Sequence, residues 1–314
     1  MDTHALLAFI AVAETGSFSL AAERLNLTQP AISKRVAALE LHLGARLFDR
    51  IGRRVDTTEA GQALLPRAGR ILREIADTER SLRDLDGSVG GRLAIGTSHH
   101  VGLHRLPPIL RQYARAYPGV ELEIRFMDSE KAHETVAAGG LELAVVTLDP
   151  QGEDSRLRSR LIWDDPLSVM VARDHPLADR GSVDVDTLAA WPAVLPGPGT
   201  YTGQILQGLF SARGARLHVG MSTNYLETLR MLAGIGLGWS VLPDTMLTPE
   251  LTRLGLEGAR MRRGLGYVLH QGRSLGNAAQ AMLNLLDATA DDQLAQTASA
   301  ARNASGVSTS ASTP

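Results

Sequence analysis

Residues 17–43 read SFSLAAERLNLTQPAISKRVAALELHL, and this stretch decides the fold of the N-terminal part of the chain. Thr15-Gly16-Ser17 ends one helix and supplies caps for the next, which is predicted from about Leu20 to Leu25. Asn26 follows, a residue that tolerates the left-handed backbone of a tight interhelical turn. Thr28 is placed to cap a third helix, and Pro30 falls in its first turn, where a missing N–H costs no hydrogen bond. That helix carries Ile32, Val36, Leu39 and Leu43 on one stripe, and Gly44 stops it. Ala21 and Ala22 are small enough to let two helices touch. With Ile32 turned inward, the outward side carries Pro30, Ser33, Lys34 and Ala37, flanked by Gln29 and Arg35. Small outward residues let a backbone approach a nucleic-acid groove, and Ser, Gln, Lys and Arg can donate to base edges or phosphates. In a helical bundle the same polar stripe would be a solvated face.

Upstream, Leu6, Phe9, Ile10 and Ala13 recur at helical spacing and predict a first helix. Downstream, Arg46 to Thr57 reads as two short strands around the turn Gly52-Arg53, a wing. Its Arg50, Arg53 and Arg54 suit phosphates or a narrow minor groove. The whole chain has a formal net charge of −2, which alone argues against a nucleic-acid binder. From Arg24 to Arg54, however, seven basic residues face only Glu40 and Asp49, a local charge of +5. A long helix is predicted from about Thr58 to Asp86, with Pro66 expected to kink it or leave its first turns irregular. Leu64, Ala68, Ile71, Ile75, Thr78, Leu82 and Leu85 form a heptad seam along it. Such a seam serves either pairing with a second helix or packing on the helix's own domain.

Beyond the linker Gly87–Gly91 the pattern changes to alternating strands and helices, the mark of a parallel sheet. Strands are predicted at Arg92–Gly96, Val120–Phe126, Leu141–Thr147, Leu167–Ala172, Ala193–Leu195, Leu217–Met221, Gly238–Leu242 and Gly266–His270. Helices are predicted near Leu106–Tyr117, Ser129–Ala138, Tyr201–Arg213, Tyr225–Ala233 and Ala278–Ala288. Ligands of open α/β sheets sit beyond the carboxyl ends of strands, near helix N-termini. That rule selects Thr97-Ser98-His99-His100, Met127-Asp128 and Thr147, and, farther along, Gly199-Thr200-Tyr201-Thr202 and Ser222-Thr223-Asn224. The contacts expected among them are Thr97, Ser98, His99, His100, Met127, Thr147, Thr200, Thr202 and Asn224. Hydroxyls and backbone N–H groups at helix starts favour an anion such as a carboxylate, although Ser98 and Thr202 could equally be caps. His99 and His100 would add charge-assisted hydrogen bonds, with affinity changing near pH 6 to 7. The i, i+4 pair His100 and His104 has a spacing a metal could use; with no Glu or Cys partner in the motif, no metal is expected.

The chain has no cysteine, which excludes disulfides and thiolate metal sites. No run of about 18 apolar residues is present, and the start Met1-Asp2-Thr3-His4 lacks a signal peptide's basic region. A cytoplasmic protein without a membrane partner is expected. Gly234-Ile-Gly236-Leu-Gly238 runs from helix into strand, the reverse of a dinucleotide loop. No G-x-S-x-G, P-loop or H-E-x-x-H signature occurs, so neither an enzyme nor a cofactor is indicated.

The segments Ala8–Glu14, Gly16-Ser17-Phe18, Ala21–Leu25, Leu27–Arg35, Leu39-Glu40, Leu43-Gly44, Leu47–Arg50 and Thr57–Gly61 resemble, in order and spacing, the start of LysR-type transcriptional regulators. The likeness extends to about residue 290. It implies a winged helix-turn-helix over 1–58, a linker and dimerisation helix over 59–90, and an effector-binding domain over 91–290. That domain is expected to have the two-subdomain fold of periplasmic solute-binding proteins, split at about 92–164 plus 266–287 and 165–265. The last residues, 291–314, are Ala/Ser/Thr-rich and are expected to form a disordered tail.

The resemblance further implies contacts to promoter DNA from Thr28, Gln29, Pro30, Ser33, Lys34 and Arg35, with the wing at Arg50 and Arg53. It implies dimerisation through Leu64, Ile71, Ile75 and Leu82, assembly into a homotetramer, and action on RNA polymerase. Ser98, Thr147 and Thr202 match positions that often touch the family's effector. Leu41 departs mildly, standing where a polar residue is frequent. The competing expectations are a transport solute-binding protein, an α/β enzyme with a helical accessory domain, and a DNA-binding regulator with a vestigial sensor.

Overall fold

The computed structural model describes residues 2–51, 54–152 and 154–290. The described residues fall into two compact units, one up to residue 86 and the other from residue 87.

The first unit is a three-helix cluster with a hairpin and a long helix. Helix α1 spans Thr3–Thr15, α2 Phe18–Arg24 and α3 Gln29–Leu43. The predicted punctuation is visible in the backbone. Asp2 and Ser17 cap α1 and α2 through their side chains, Gly16 and Gly44 adopt left-handed conformations, and Asn26 turns the chain at φ 53°. Thr28 occupies the cap position of α3, but its hydroxyl makes no cap hydrogen bond. Ala21 and Ala22 are buried against Phe9, Val12, Ile32 and Val36, as close helix packing requires. The hairpin pairs β1 (Phe48–Ile51) with β2 (Arg54–Thr57). Phe48 anchors it, with ring centroids 5.4 Å from Phe9 and 5.8 Å from Phe18.

Helix α4 spans Glu59–Arg83 and continues through Pro66. Thr58 starts it, accepting from the Gly61 N–H at 3.1 Å and donating to the Arg46 carbonyl at 2.7 Å. At Gly61 a Cβ would lie 2.3 Å from the Leu47 carbonyl oxygen, so the helix can approach the segment leading into β1 only with glycine there. The heptad seam divides. Ala68 is fully buried, and Leu64 and Ile71 pack beside it on the unit's own core. Farther on, Leu82 and Leu85 are 64% and 80% exposed. The single seam of the sequence is therefore an internal packing stripe followed by an open apolar stripe.

In the second unit, β3 (Gly91–Thr97) leads into the short α5 (His99–His104) and then α6 (Leu106–Ala116). Next come β4 (Val120–Phe126), α7 (Ser129–Ala137), β5 (Leu143–Thr147) and β6 (Leu157–Ala172). The chain continues with β7 (Ser182–Val183), α8 (Val185–Ala189), β8 (Ala193–Leu195) and α9 (Tyr201–Ala212). It is completed by β9 (Val219–Ser222), α10 (Leu226–Gly234), β10 (Ser240–Pro243), β11 (Leu251–Leu256), β12 (Met261–His270) and a helix α11 over 277–290.

These elements build two half-sheets joined by two long strands. In one half β3 lies parallel between β4 and β5, and β5 pairs antiparallel with the end of β12. In the other, the end of β6 pairs antiparallel with β10 and β11, while β8 pairs with β9 and bridges to Trp239. Strands β6 and β12 pair with each other through both halves, with a register shift between Leu265 and Gly266. At Gly266 a Cβ would stand 2.0 Å from the Arg160 carbonyl oxygen, which only glycine avoids. Each half has its own core. One centres on Ile95, Tyr113, Trp163 and Met282, the other on Val169, Leu188, Phe210 and Trp239.

The expectation of a parallel sheet is thus corrected to a mixed one. Strand β6 begins ten residues before its predicted start, because Arg158 and Arg160 face water and hide the pattern. Strands β7 and β11 and helices α5 and α8 are also additions, each short or, in α5, interrupted by Gly102. Among the described residues, no single helix is long and apolar enough to cross a membrane. The expected tail lies outside the described residues.

Candidate functional site

The outer face of α3 carries polar residues in two rows. Gln29 donates from Nε2 to Ser33 Oγ at 2.9 Å, so these two share one row one turn apart. Lys34 and Arg35 lie on the next row, lining with His42 and Asp2 a shallow hollow between α1 and α3. Thr28, Gln29, Pro30, Lys34 and Ala37 are exposed, and Ser33 and Arg35 half-buried, while Ile32 and Val36 face the core. The Thr28 hydroxyl, free of the cap role, stands at the start of the helix beside N–H groups without helical partners. In the hairpin ladder Arg50 lies opposite Val55, and Arg54 opposite Ile51. Arg53, with Gly52, lies outside the described residues. Leu41 is 86% exposed on the outer side of α3.

A cleft in the second unit lies where the two half-sheets meet. Of the nine residues expected at a ligand, seven line it: Ser98, His99, His100, Thr147, Thr200, Thr202 and Asn224. Thr97 and Met127 do not. The Thr97 hydroxyl donates to the Val145 carbonyl at 2.8 Å inside the sheet, and Met127 packs on the core beneath α7. Ser98 and Asp128, the residues at the helix starts that follow β3 and β4, are the ones that line the cleft.

The alternatives of cap and ligand contact separate residue by residue. Thr200 is a cap: its hydroxyl accepts from the Gly203 N–H at 3.0 Å and donates to the Gly197 carbonyl at 2.8 Å. Ser98 stands at the cap position of α5 but makes no cap bond, and its Oγ is buried without a protein partner. Thr202 lies inside α9 and accepts from Arg263 Nη1 at 3.4 Å.

Arg263 is the cleft residue that sequence reasoning missed. It faces Asp165 directly across β6 and β12, and Nε donates to Asp165 Oδ2 at 2.8 Å. Asp165 is fully buried and Arg263 8% exposed; Arg105 reaches the other carboxylate oxygen at 3.4 Å. The available signal was an arginine within the apolar alternation Met261, Arg263, Leu265, whose strand was predicted to begin only at Gly266. Ser129 and Glu130 also line the cleft without having been selected.

Polar contacts between the halves include three from the cleft rim. Asn224 Nδ2 donates to Asp128 Oδ2 at 2.8 Å, the Tyr201 N–H donates to Glu130 Oε1, and His104 Nε2 lies 2.8 Å from Glu227 Oε1. Four buried polar atoms in the cleft have no hydrogen-bond partner in the protein: Ser98 Oγ, both ring nitrogens of His100, the nearer of which lies 3.9 Å from Asp165 Oδ2, and Arg263 Nη2. Leaving such a group unpaired costs about 1–3 kcal/mol, so their convergence suits a polar ligand. Ser98 Oγ–H and Arg263 Nη2–H donate, as a carboxylate requires. Burial, reinforced by the Arg263 charge, pushes the His100 pKa down to about 3. His100 is therefore neutral near pH 6 to 7, which corrects the expectation that it would add a pH-dependent charge there.

Two family descriptions match the chain: "LysR substrate binding domain" over residues 86–291 and "Bacterial regulatory helix-turn-helix protein, lysR family" over 3–62. The RuBisCO operon transcriptional regulator of Allochromatium vinosum is 30% identical over 281 residues, covering 88% of this chain and 92% of that protein. Full-length OxyR from Pseudomonas aeruginosa superimposes with a TM-score of 0.67 at 22% identity, over 92% of this chain and 94% of that one. Full-length CbnR, solved in a complex with its target DNA, gives 0.63 at 23% identity, over 92% of this chain and all of that one (100%). These two likenesses concern the fold.

Proposed function

The chain belongs to the LysR family of bacterial transcriptional regulators, and from that premise we propose which residues read DNA and what the cleft receives. Members of this family are regulators rather than enzymes. They bind promoter DNA through the helix-turn-helix and carry an effector-binding domain behind it.

In our reading α3 enters the major groove. Gln29 and Ser33 meet base edges, while Thr28, Lys34 and Arg35 hold phosphates. Arg50, Arg53 and Arg54 of the hairpin reach the flanking backbone or minor groove. The exposed part of the α4 seam, from Ile75 through Leu82 to Leu85, pairs with a second copy, and such dimers assemble into a tetramer on an inverted repeat. Leu64 and Ile71 support the unit's own core rather than carrying that pairing alone.

The cleft takes a small anionic effector. The observation that carries this is the convergence of the unpartnered Ser98, His100 and Arg263 atoms between the two half-sheets. A ligand held there changes the angle between the halves. It shifts the oligomer only as far as it binds the two shapes unequally. The altered grip on DNA then changes the recruitment of RNA polymerase, in the cytoplasm.

The test is a thermal-shift screen of the full-length protein against small mono- and dicarboxylates, repeated on Thr202→Val. A carboxylate that stabilises the native protein by mass action, and stabilises the variant less, is expected. A panel with no stabilising anion, or one that stabilises both proteins equally, removes the anion reading of this cleft.

A further inference from the structure

The i, i+4 histidine pair on α5 lacks a third ligand in its own segment, but the fold supplies one. Glu227, in the first turn of α10, comes from the opposite half of the sheet. One ligand atom from each of His100, His104 and Glu227 lies within 4.8 Å of the other two. Among the described residues this is the one such group of three.

A second observation points the same way. His100 is 5% exposed, and neither ring nitrogen has a hydrogen-bond partner. Its ring centroid lies 5.0 Å from that of His104, whose Nε2 already meets Glu227 Oε1 at 2.8 Å. A buried imidazole normally satisfies at least one nitrogen, because an unpaired one forfeits its hydration without return.

We infer that His100, His104 and Glu227 form a binding site for a divalent transition-metal ion of the zinc class, bridging the two halves of the effector-binding domain. Two imidazoles and one carboxylate are a common zinc ligand set that leaves one position open for water or a ligand. Bond lengths of about 2.0–2.2 Å in a tetrahedral shell place ligand atoms roughly 3.4 Å apart. His104 Nε2 and Glu227 Oε1, 2.8 Å apart, would part a little, and atoms as far apart as 4.8 Å would draw in by up to about 1.4 Å, within reach of side-chain rotation. Imidazole nitrogen selects zinc, copper or nickel over magnesium or calcium.

Two cations stand nearby and would oppose an ion, Arg105 and Arg263. Both are directed at the buried Asp165 carboxylate, at 3.4 and 2.8 Å, which offsets one of their two charges, and Glu227 itself offsets the other. Because α5 and α10 belong to opposite halves, a bound ion ties them together, replacing the His104–Glu227 hydrogen bond with three bonds to the ion. The inference does not rest on the anion reading of the cleft. His100 lines the anion cleft as well, but His104 and Glu227 do not, so variants at those two residues test the metal separately.

The test uses full-length protein stripped with a chelator and titrated with Zn2+ by calorimetry, then with Co2+ by visible absorption. The expected result is one ion per chain and a Co2+ spectrum of tetrahedral nitrogen and oxygen ligation. His104→Ala and Glu227→Gln each weaken binding by more than about tenfold, the least that even an outer-shell change costs. His218→Ala, at an exposed histidine before β9, leaves it unchanged. His104 and Glu227 are both partly exposed, so unfolding midpoints without metal verify that the variants fold. The inference is overturned if the native protein takes up no stoichiometric ion, or if His104→Ala and Glu227→Gln bind as tightly as it does.

Discussion

The α3 face and the cleft both present uncommitted polar side chains, but in opposite environments. On α3, Thr28, Gln29 and Lys34 are in water and cost the free protein nothing. In the cleft, Ser98 Oγ, the His100 nitrogens and Arg263 Nη2 are already withdrawn from water, and the folded state carries their cost before any ligand arrives. The lesson concerns where binding energy originates. Contacts at α3 exchange water and counterions for phosphates and bases, so they weaken with salt. Contacts in the cleft recover a penalty set at folding, so they are short-ranged and selective for shape and charge.

The comparison breaks most sharply at Arg263. Arg263→Met leaves the buried Asp165 with the longer Arg105 contact at 3.4 Å and the neutral His100 ring at 3.9 Å. A loss of about 3–5 kcal/mol is expected, read as a lowered urea midpoint. A loss below about 1 kcal/mol would mean that the pair is not desolvated as the geometry indicates.

Next comes the double variant Ser33→Ala with Arg35→Ala. It should abolish promoter footprinting, with at least about 1–3 kcal/mol lost from specific binding, and leave the unfolding midpoint in place. Retained footprinting would remove α3 as the reading helix.

Ser98→Ala sharpens the comparison by the sign of its effect. Deleting an ordinary buried hydroxyl breaks a bond, but this one has no partner. The free protein should therefore be unchanged or more stable by up to about 1 kcal/mol, while stabilisation by an anionic ligand falls. A destabilised free protein would show that the hydroxyl is structurally engaged.

The smallest effect is expected at Lys34. Lys34→Ala should alter stability by no more than about 0.5 kcal/mol and reduce the slope of log affinity against log salt by about one. An unchanged slope would place Lys34 away from the phosphates.

By itself the sequence determined the helix-turn-helix in detail: Asn26 at the turn, Gly44 at the stop, and Ala21 with Ala22 at the contact. These signals act between residues a few positions apart, so caps and periodicity are enough to read them. Most of the cleft's hydroxyls were legible for the same reason, since strand ends and helix starts are local features. What only the tertiary structure decided is which of them remain free. Thr200 closes its own helix, whereas Ser98 does not.

It also decided every pairing made at long range. Asp165 meets Arg263 because β6 and β12 run side by side through both halves, in a register that no local pattern encodes. Glu227 meets His104 across 123 positions of sequence, because α10 is folded against α5. The heptad seam shows the same division within one helix. Its spacing could be read directly, but only the packing of Ala68 and the exposure of Leu82 and Leu85 separate its inward part from its outward part. A local pattern states that a face is apolar; which surface covers it depends on segments the pattern does not contain.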